Sequence, residues 1–263
     1  MKIRPGIELA NVSDVGLERA NNEDSFGYWE PESDQEFLCK GRLAIIADGM
    51  GGHQGGEEAS RLAVEVVSQT YRESQAIPQE SLLAGFQSAH ERIQQYAVEK
   101  ARTSGMGTTC TALSLMGKEM CYAHVGDSRL YLFRDGVLTC LTSDHSQAME
   151  LVRAGIIGLE DAESHPARHI LSRALGVGKQ LQPEISPAPI EIRDGDTLLL
   201  CTDGLWGQLS DQELGEVLQK FSPSSACEEL VRRGKEHGAP DNITLQVLKV
   251  ASISGHHSEV TGS

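Results

Sequence analysis

The sequence predicts an α+β fold with antiparallel sheets. Two long helix patterns stand between strand-rich stretches, and several short strands follow one another directly along the chain. The regular strand–helix alternation of a doubly wound parallel sheet is absent. At 263 residues with 39% hydrophobic residues, the chain can bury a large core as one large domain or two small ones.

Short apolar runs bounded by turn residues predict most of the strands. In chain order these runs cover 42–47, 109–115, 120–125 and 197–202, and a final run with apolar–polar alternation covers 243–250. Within 131–138, Asp135-Gly136 separates two apolar runs, which predicts a tight hairpin.

Helix patterns are fewer and longer. Apolar residues recur at helical spacing over 57–71 and 80–101. Ser210 with Glu213 three residues later predicts a capped helix start, and Ser222-Pro223 predicts another. The segment 146–170 has no clear period, so we expect an insert or flap there, and we expect a disordered tail over 251–263.

Charge and cysteine content exclude several classes of protein. The 23 basic and 38 acidic residues give a net charge of −15, which argues against binding nucleic acid or an anionic membrane surface. Six scattered cysteines without a Cys-x-x-Cys pair favour core thiols over zinc ligands or disulfides. No apolar run is long enough to span a membrane. We therefore expect a cytoplasmic protein, and a monomer.

Aspartates stand at the ends of several apolar runs. Asp48-Gly49 and Asp203-Gly204 each follow one, as does Asp127, and Asp241 precedes the last run. Asp-Gly is also a common turn dipeptide, and Asp135-Gly136 is well explained as one. Asp48 and Asp203, however, are followed by a loop and a helix rather than by a partner strand. Converging carboxylates would need a hard divalent cation such as Mg²⁺ or Mn²⁺, so a metal site and a set of turns stay open as alternatives.

Eight blocks in order resemble the metal-dependent protein Ser/Thr phosphatases of type 2C, in their compact bacterial form. The blocks are Ser13-Asp14-Val15-Gly16 with Arg19 and Asn22-Glu23-Asp24, Asp48-Gly49-Met50-Gly51-Gly52-His53, Gly107-Thr108-Thr109, Val125-Gly126-Asp127-Ser128-Arg129, Asp144-His145-Ser146, Leu171-Ser172-Arg173-Ala174-Leu175-Gly176, Thr202-Asp203-Gly204-Leu205-Trp206, and Asp241-Asn242-Ile243-Thr244.

The resemblance implies a four-layer α-β-β-α sandwich of two antiparallel sheets flanked by helices. It implies one catalytic domain over residues 1–250, with a flap at about 146–170, that acts on phosphorylated proteins. Two Mg²⁺ or Mn²⁺ ions, and a weaker third, would then bind at one end of the sandwich. The implied ligands are Asp48 bridging the two core ions, the Gly49 carbonyl, Asp203 and Asp241 at the first ion, Glu23 and Asp24 beside the second, and Asp127 with Asp203 at the third.

The implied reaction is hydrolysis of phosphoserine and phosphothreonine by a water that bridges two ions, without a covalent phosphoenzyme. Arg19 matches the phosphate-binding arginine, and His53 is similar to the histidine proposed as general acid. His169 stands where bacterial members often have asparagine, so its role is open. Two other functions stay open: a catalytically silent relative that binds phosphoproteins, and a phosphoesterase for small molecules.

Overall fold

Two antiparallel sheets form the centre of the computed structural model, which describes residues 3–51, 54–100 and 105–251. The first sheet has the order β1 (Ile7–Asp14), β12 (Ile243–Val250), β11 (Thr197–Cys201), β7 (Arg129–Arg134) and β8 (Val137–Cys140). The second has the order β10 (Ile190–Glu191), β6 (Glu119–Val125), β5 (Cys110–Met116), β3 (Arg42–Met50) and β2 (Asp24–Trp29), with β4 (Gly107–Thr108) beside β3 and β9 (Glu184–Ile185) beside β6.

Eight helices lie within the described ranges. They are α1 (Asp34–Lys40), α2 (Gln54–Glu73), α3 (Pro78–Lys100), α4 (Gln147–Arg153), α5 (Leu159–Ser164), α6 (Asp203–Trp206), α7 (Asp211–Lys220) and α8 (Pro223–Glu236). In this part of the chain no helix is both long and apolar enough to cross a bilayer.

Side chains alternate between the two faces of each strand, so the core has three layers. One lies between the two sheets, and one lies between each sheet and the helices that cover it. On β3, Ala44 and Ile46 face the other sheet, whereas Leu43 and Ile45 face α2 and α3. On β11, Leu198 and Leu200 face the second sheet, whereas Leu199 and Cys201 face α7 and α8. The predicted α-β-β-α sandwich is therefore confirmed.

Most predicted elements are present with shifted ends. Asp135 and Gly136 both have positive φ values, 52° and 81°, as the predicted hairpin turn requires. The predicted helix starts at Ser210 and Ser222 also appear, and Ser210 forms the complete capping box with Glu213. The segment 146–170, predicted as an insert or flap, contains α4 and α5.

Two features of the strands differ from their sequence patterns. β3 continues past the predicted end at residue 47, so Asp48 and Gly49 are strand residues with fixed neighbours. Two polar residues of β12, Thr244 and Gln246, do not face solvent and are fully buried between the two sheets. Apart from Ala251, the predicted tail lies outside the described residues. All six cysteines are free thiols: four are buried in the core, Cys140 is half-buried and Cys39 is exposed.

Candidate functional site

Strand pairing in the second sheet brings two of the predicted ligands together. Asp24 on β2 lies directly opposite Asp48 on β3, an arrangement that places Cβ atoms about 5 Å apart. The main chain around Asp48 is fixed by Thr109, whose hydroxyl accepts from the Asp48 amide at 2.9 Å and whose amide donates to the Asp48 carbonyl at 2.8 Å. The two carboxylates are thus held side by side by the backbone.

The first sheet contributes its carboxylates from the neighbouring strand ends. Asp203 begins α6 immediately after β11, and Asp241 lies two residues before β12. The Thr202 hydroxyl donates to Asp24 Oδ2 at 2.9 Å, which joins the two groups across the sheets. Asn242 accepts from the Glu23 amide at 2.8 Å and so fixes the loop that carries the acidic pair. Thr202 and Asn242 stand in the matched blocks, but their local sequence indicates neither of these contacts.

Asp127 reaches the same end of the molecule from a tight turn. The preceding Gly126 has φ +109°, and a Cβ there would lie 2.5 Å from the side chain of Thr109. Ser128 on the other side hydrogen-bonds the Thr109 hydroxyl at 2.8 Å. Asp127 itself is buried, so its carboxylate has lost most of its hydration.

The glycines after Asp48 permit close contact between its loop and the acidic pair. A Cβ on Gly49 would lie 2.1 Å from the Gly56 carbonyl oxygen, and one on Gly56 would lie 2.0 Å from Glu23 Oε2. Glu23 also accepts from the Gly49 amide through its own carbonyl, at 3.1 Å. Only glycine allows this approach, which explains the glycine-rich run at this point of the sequence.

The electrostatics of the site favour a bound cation. Burial raises the pKa of Asp24 to about 7, with repulsion from Asp203 and Asp241 adding to it against hydrogen bonds from Thr244 and Thr202. Burial, followed by repulsion from Asp24 and Asp203, holds the pKa of Asp48 well above its usual range. Burial and Asp203 do the same for the pKa of Asp127. A divalent ion would offset these costs.

The carboxylates are neighbours, but their oxygen atoms do not converge on a single position. Across residues 3–51, 54–100 and 105–251, no three His, Cys, Asp or Glu side chains meet at the spacing of a complete metal-ligand group. Three of them contact partners outside the cluster: Asp24 contacts Thr202, Asp241 contacts Arg19, and Asp203 Oδ2 lies near His169.

The donor set nevertheless suits a hard cation. Asp203 Oδ1 is buried and has no hydrogen-bond partner, a costly state that a cation would relieve. The predicted protein ligands are all oxygens, which Mg²⁺ and Mn²⁺ prefer. These residues therefore fit the divalent ions that the resemblance implies.

Of the two residues predicted to contact substrate, Arg19 is among the described residues and His53 is not. Arg19 Nη2 forms an ion pair with Asp241 Oδ2 at 2.7 Å, and about half of the arginine side chain is exposed. Its guanidinium group is thus at the site and open to solvent on one side. His53, predicted as the general acid, lies outside the described residues.

Two buried histidines support the turn that carries Asp127. The rings of His124 and His145 stack with centroids 5.0 Å apart. His145 Nδ1 accepts from the Gly126 amide at 3.1 Å, and His124 Nδ1 lies 2.8 Å from the Thr111 hydroxyl. Burial lowers the pKa of each histidine to about 3. The pair is therefore neutral in the folded protein and has a structural role.

We expect this pair to make the protein less stable in acid. Unfolded histidines bind protons near pH 6.5 whereas the folded pair binds them only near pH 3, so the free energy of unfolding falls as pH drops through this window. Thermal unfolding from pH 7 to pH 5 measures the slope. His124→Asn/His145→Asn should have a shallower slope than wild type, and Val98→Ala, at an exposed position on α3 without an ionisable group, should keep the wild-type slope. Equal slopes in all three proteins would contradict the assignment.

Comparison with known proteins places the whole arrangement in a family. Residues 18–243 match the family model described as Protein phosphatase 2C. The serine/threonine phosphatase stp of Listeria monocytogenes is 36% identical over 243 residues, which cover 90% of this chain and 93% of the relative. The serine/threonine protein phosphatase PstP of Mycobacterium tuberculosis is 38% identical over 248 residues, which cover 93% of this chain but 45% of that longer protein.

Solved structures of bacterial serine/threonine phosphatases are similar to this fold. The crystal structure of Mycobacterium tuberculosis PstP/Ppp has a TM-score of 0.83 at 35% identity and covers 94% of this chain and 100% of that one. A structure of the PstP catalytic domain in complex with two manganese ions has a TM-score of 0.80 at 34% identity, covering 94% of this chain and 99% of the other.

Proposed function

The chain belongs to the protein phosphatase 2C family and is a serine/threonine protein phosphatase, and we propose that water attacks its phosphoprotein substrates directly, with no phosphoenzyme. The observation that carries this proposal is the gathering of Asp24, Asp48, Asp127 and Asp203 within range of mutual repulsion at one end of the sandwich. We further propose one catalytic domain over residues 1–250, in which 146–170 forms the flap.

The chain would hold its cations through residues of both sheets. Asp48 would contact two ions, and the Gly49 carbonyl would contact one of these two. Asp127 and Asp203 would contact a third ion. The remaining proposed ligands are Asp203 and Asp241 at the first ion, and Glu23 with Asp24 beside the second. Bound divalent ions of this kind acidify a water molecule and offset negative charge on a phosphate group.

The protein groups around the ions then orient the substrate and move one proton. Arg19, paired with Asp241 and open to solvent on one side, would hold two phosphate oxygens and offset the charge that grows on them during the reaction. His53 would give a proton to the serine or threonine oxygen as it leaves. Backbone pairing fixes the main chain at Asp48 and Asp24, so side-chain rotation is what would bring their carboxylates onto the cations.

Substrate comparison tests the proposal against its alternatives. With Mn²⁺ present, we expect turnover of phosphoserine and phosphothreonine peptides and of p-nitrophenyl phosphate, with no radiolabelled phosphate retained on acid-quenched protein. Binding of phosphopeptides without turnover would indicate the silent relative. Turnover restricted to small phosphomonoesters would indicate the small-molecule enzyme. Stable labelling of the protein would contradict direct attack by water.

Replacement of Arg19 should weaken substrate binding. We expect Arg19→Ala to raise the KM for p-nitrophenyl phosphate by about 10-fold or more, because it removes charge-assisted hydrogen bonds contributing roughly 1.5–3 kcal/mol. Arg19→Lys should recover only part of this, since lysine cannot bind two oxygens in a plane. Arg232→Ala, which removes an arginine ion-paired on the surface of α8, serves as the control. An unchanged KM in Arg19→Ala would remove Arg19 from phosphate contact.

A further inference from the structure

Trp206 joins two of the acidic residues that come from different parts of the chain. Its indole Nε1 donates to the Asp127 carbonyl oxygen at 2.9 Å. Trp206 is also the last residue of α6, a single helical turn whose first residue is Asp203. One side chain therefore ties the turn that carries Asp127 to the helix that carries Asp203.

Two flat groups lie against the indole ring and fix its plane. The Arg129 guanidinium carbon is 3.7 Å from the ring centroid, and the His169 ring stacks at 6.2 Å with an interplanar angle of 17°. Arg129 is itself fixed by two hydrogen bonds to Asp144, at 3.0 and 2.8 Å. His169 Nδ1 lies 3.5 Å from Asp203 Oδ2, so the same stack also reaches the second carboxylate.

The helix α6 has little freedom to move by itself. Leu205 is fully buried, and a Cβ on Gly204 would lie 1.9 Å from the Asn242 carbonyl oxygen. On the other side, the turn around Asp127 is attached to β5, where Thr111 donates to the Ser128 carbonyl at 2.8 Å. The indole N–H thus bridges two anchored segments, and its direction fixes the distance between them.

We propose that Trp206 is a positioning residue that sets the spacing of the Asp127 and Asp203 carboxylates, and thereby the affinity for the cation that this pair would hold. The inference rests on the proposed function, because that function assigns a cation to the pair. Trp206 would contact residues that hold the metal rather than the metal itself. Replacement of such a residue commonly changes metal affinity 10- to 100-fold.

Trp206→Phe tests the inference because it keeps a flat ring against Arg129 and His169 but removes the N–H donor. Trp29→Phe is the matched control: Trp29 lies at the opposite end of β2 from Asp24 and packs on Tyr71. Mn²⁺ binding, followed by electron paramagnetic resonance of free Mn²⁺, gives the number of ions and their affinities. We expect the dissociation constant of the weakest ion to rise about 10-fold or more in Trp206→Phe, with tighter ions within twofold of wild type.

A second measurement covers the case in which Trp206→Phe does not fold. The sequence has two tryptophans, so Trp206 is the only one in the Trp29→Phe protein. Its indole N–H resonance should shift during a Mg²⁺ titration with the midpoint of the weakest ion. A resonance that does not move, or a Trp206→Phe binding curve that overlays that of Trp29→Phe, would overturn the inference while leaving the proposed function in place. Wild-type protein that neither binds Mn²⁺ nor turns over substrate would overturn both.

Discussion

Asp48→Asn should lower turnover of p-nitrophenyl phosphate with saturating Mn²⁺ by about 10³-fold or more. The carboxylate stands opposite Asp24 in the β2–β3 ladder and is the proposed contact of two cations. Charge stabilisation by such ions supplies several kcal/mol, and each 1.36 kcal/mol is a factor of ten in rate. Asparagine has nearly the same shape, so the loss would come from charge rather than from packing.

The control for this variant is Asp135→Asn, in the hairpin turn between β7 and β8. Asp135 has φ 52°, a conformation that asparagine accepts readily, and activity should be unchanged. The same two variants should also differ in stability. In chelator at pH 8, Asp48→Asn should unfold at a higher temperature than wild type, because it removes a charge whose burial and neighbours raise its pKa. More than a tenth of wild-type turnover in Asp48→Asn would contradict the assigned role.

Removal of metal should abolish activity and lower the unfolding temperature. Mn²⁺ at 100 times its dissociation constant contributes about 2.7 kcal/mol to the folded state. For a protein of this size that raises the melting temperature by about 5–10 °C. Calorimetry in EDTA and in Mn²⁺ measures the difference, with KCl of equal ionic strength as the control. Binding at pH 6.5 should also release protons, because the pKa of Asp24 is about 7 and the cation must displace its proton.

Two results would contradict the prediction for metal removal. Full turnover in EDTA, with dialysed protein free of metal by elemental analysis, would exclude the proposed chemistry. A rise in melting temperature that is equally large in Asp48→Asn would place the stabilising ion somewhere else. Wild type should therefore gain at least twice as much from Mn²⁺ as Asp48→Asn does.

Local sequence signals predicted most of the fold. The Asp135-Gly136 hairpin, the Ser210 capping box and the apolar stripes of α2 and α3 each depend on a few neighbouring residues, and each appears where it was predicted. The short edge elements β9 and β10 carry no such signal. β1 and α1 lack a strong apolar period, and long-range pairing determines that β1 lies beside β12.

The sequence motifs predicted which residues belong to the candidate site, but not how those residues contact one another. Family motifs named Asp24 and Asp203, yet the hydrogen bond from Thr202 to Asp24 spans 178 positions of sequence and the one from Glu23 to Asn242 spans 219. Such contacts follow from how the two sheets stack, which no local pattern encodes. The bond from Trp206 to Asp127 is of the same kind. Asp135-Gly136, predicted as an ordinary turn, does form the hairpin turn.

The buried amide of Gln246 has a mechanical consequence for this enzyme. From β12 in one sheet, its Nε2 donates to the Ile45 carbonyl at 2.6 Å and to the Gly27 carbonyl at 3.2 Å in the other. An apolar interface tolerates sliding, whereas these directional bonds are lost when one sheet translates relative to the other. Gln246 thus resists shear between the two sheets from which the acidic residues of the candidate site extend.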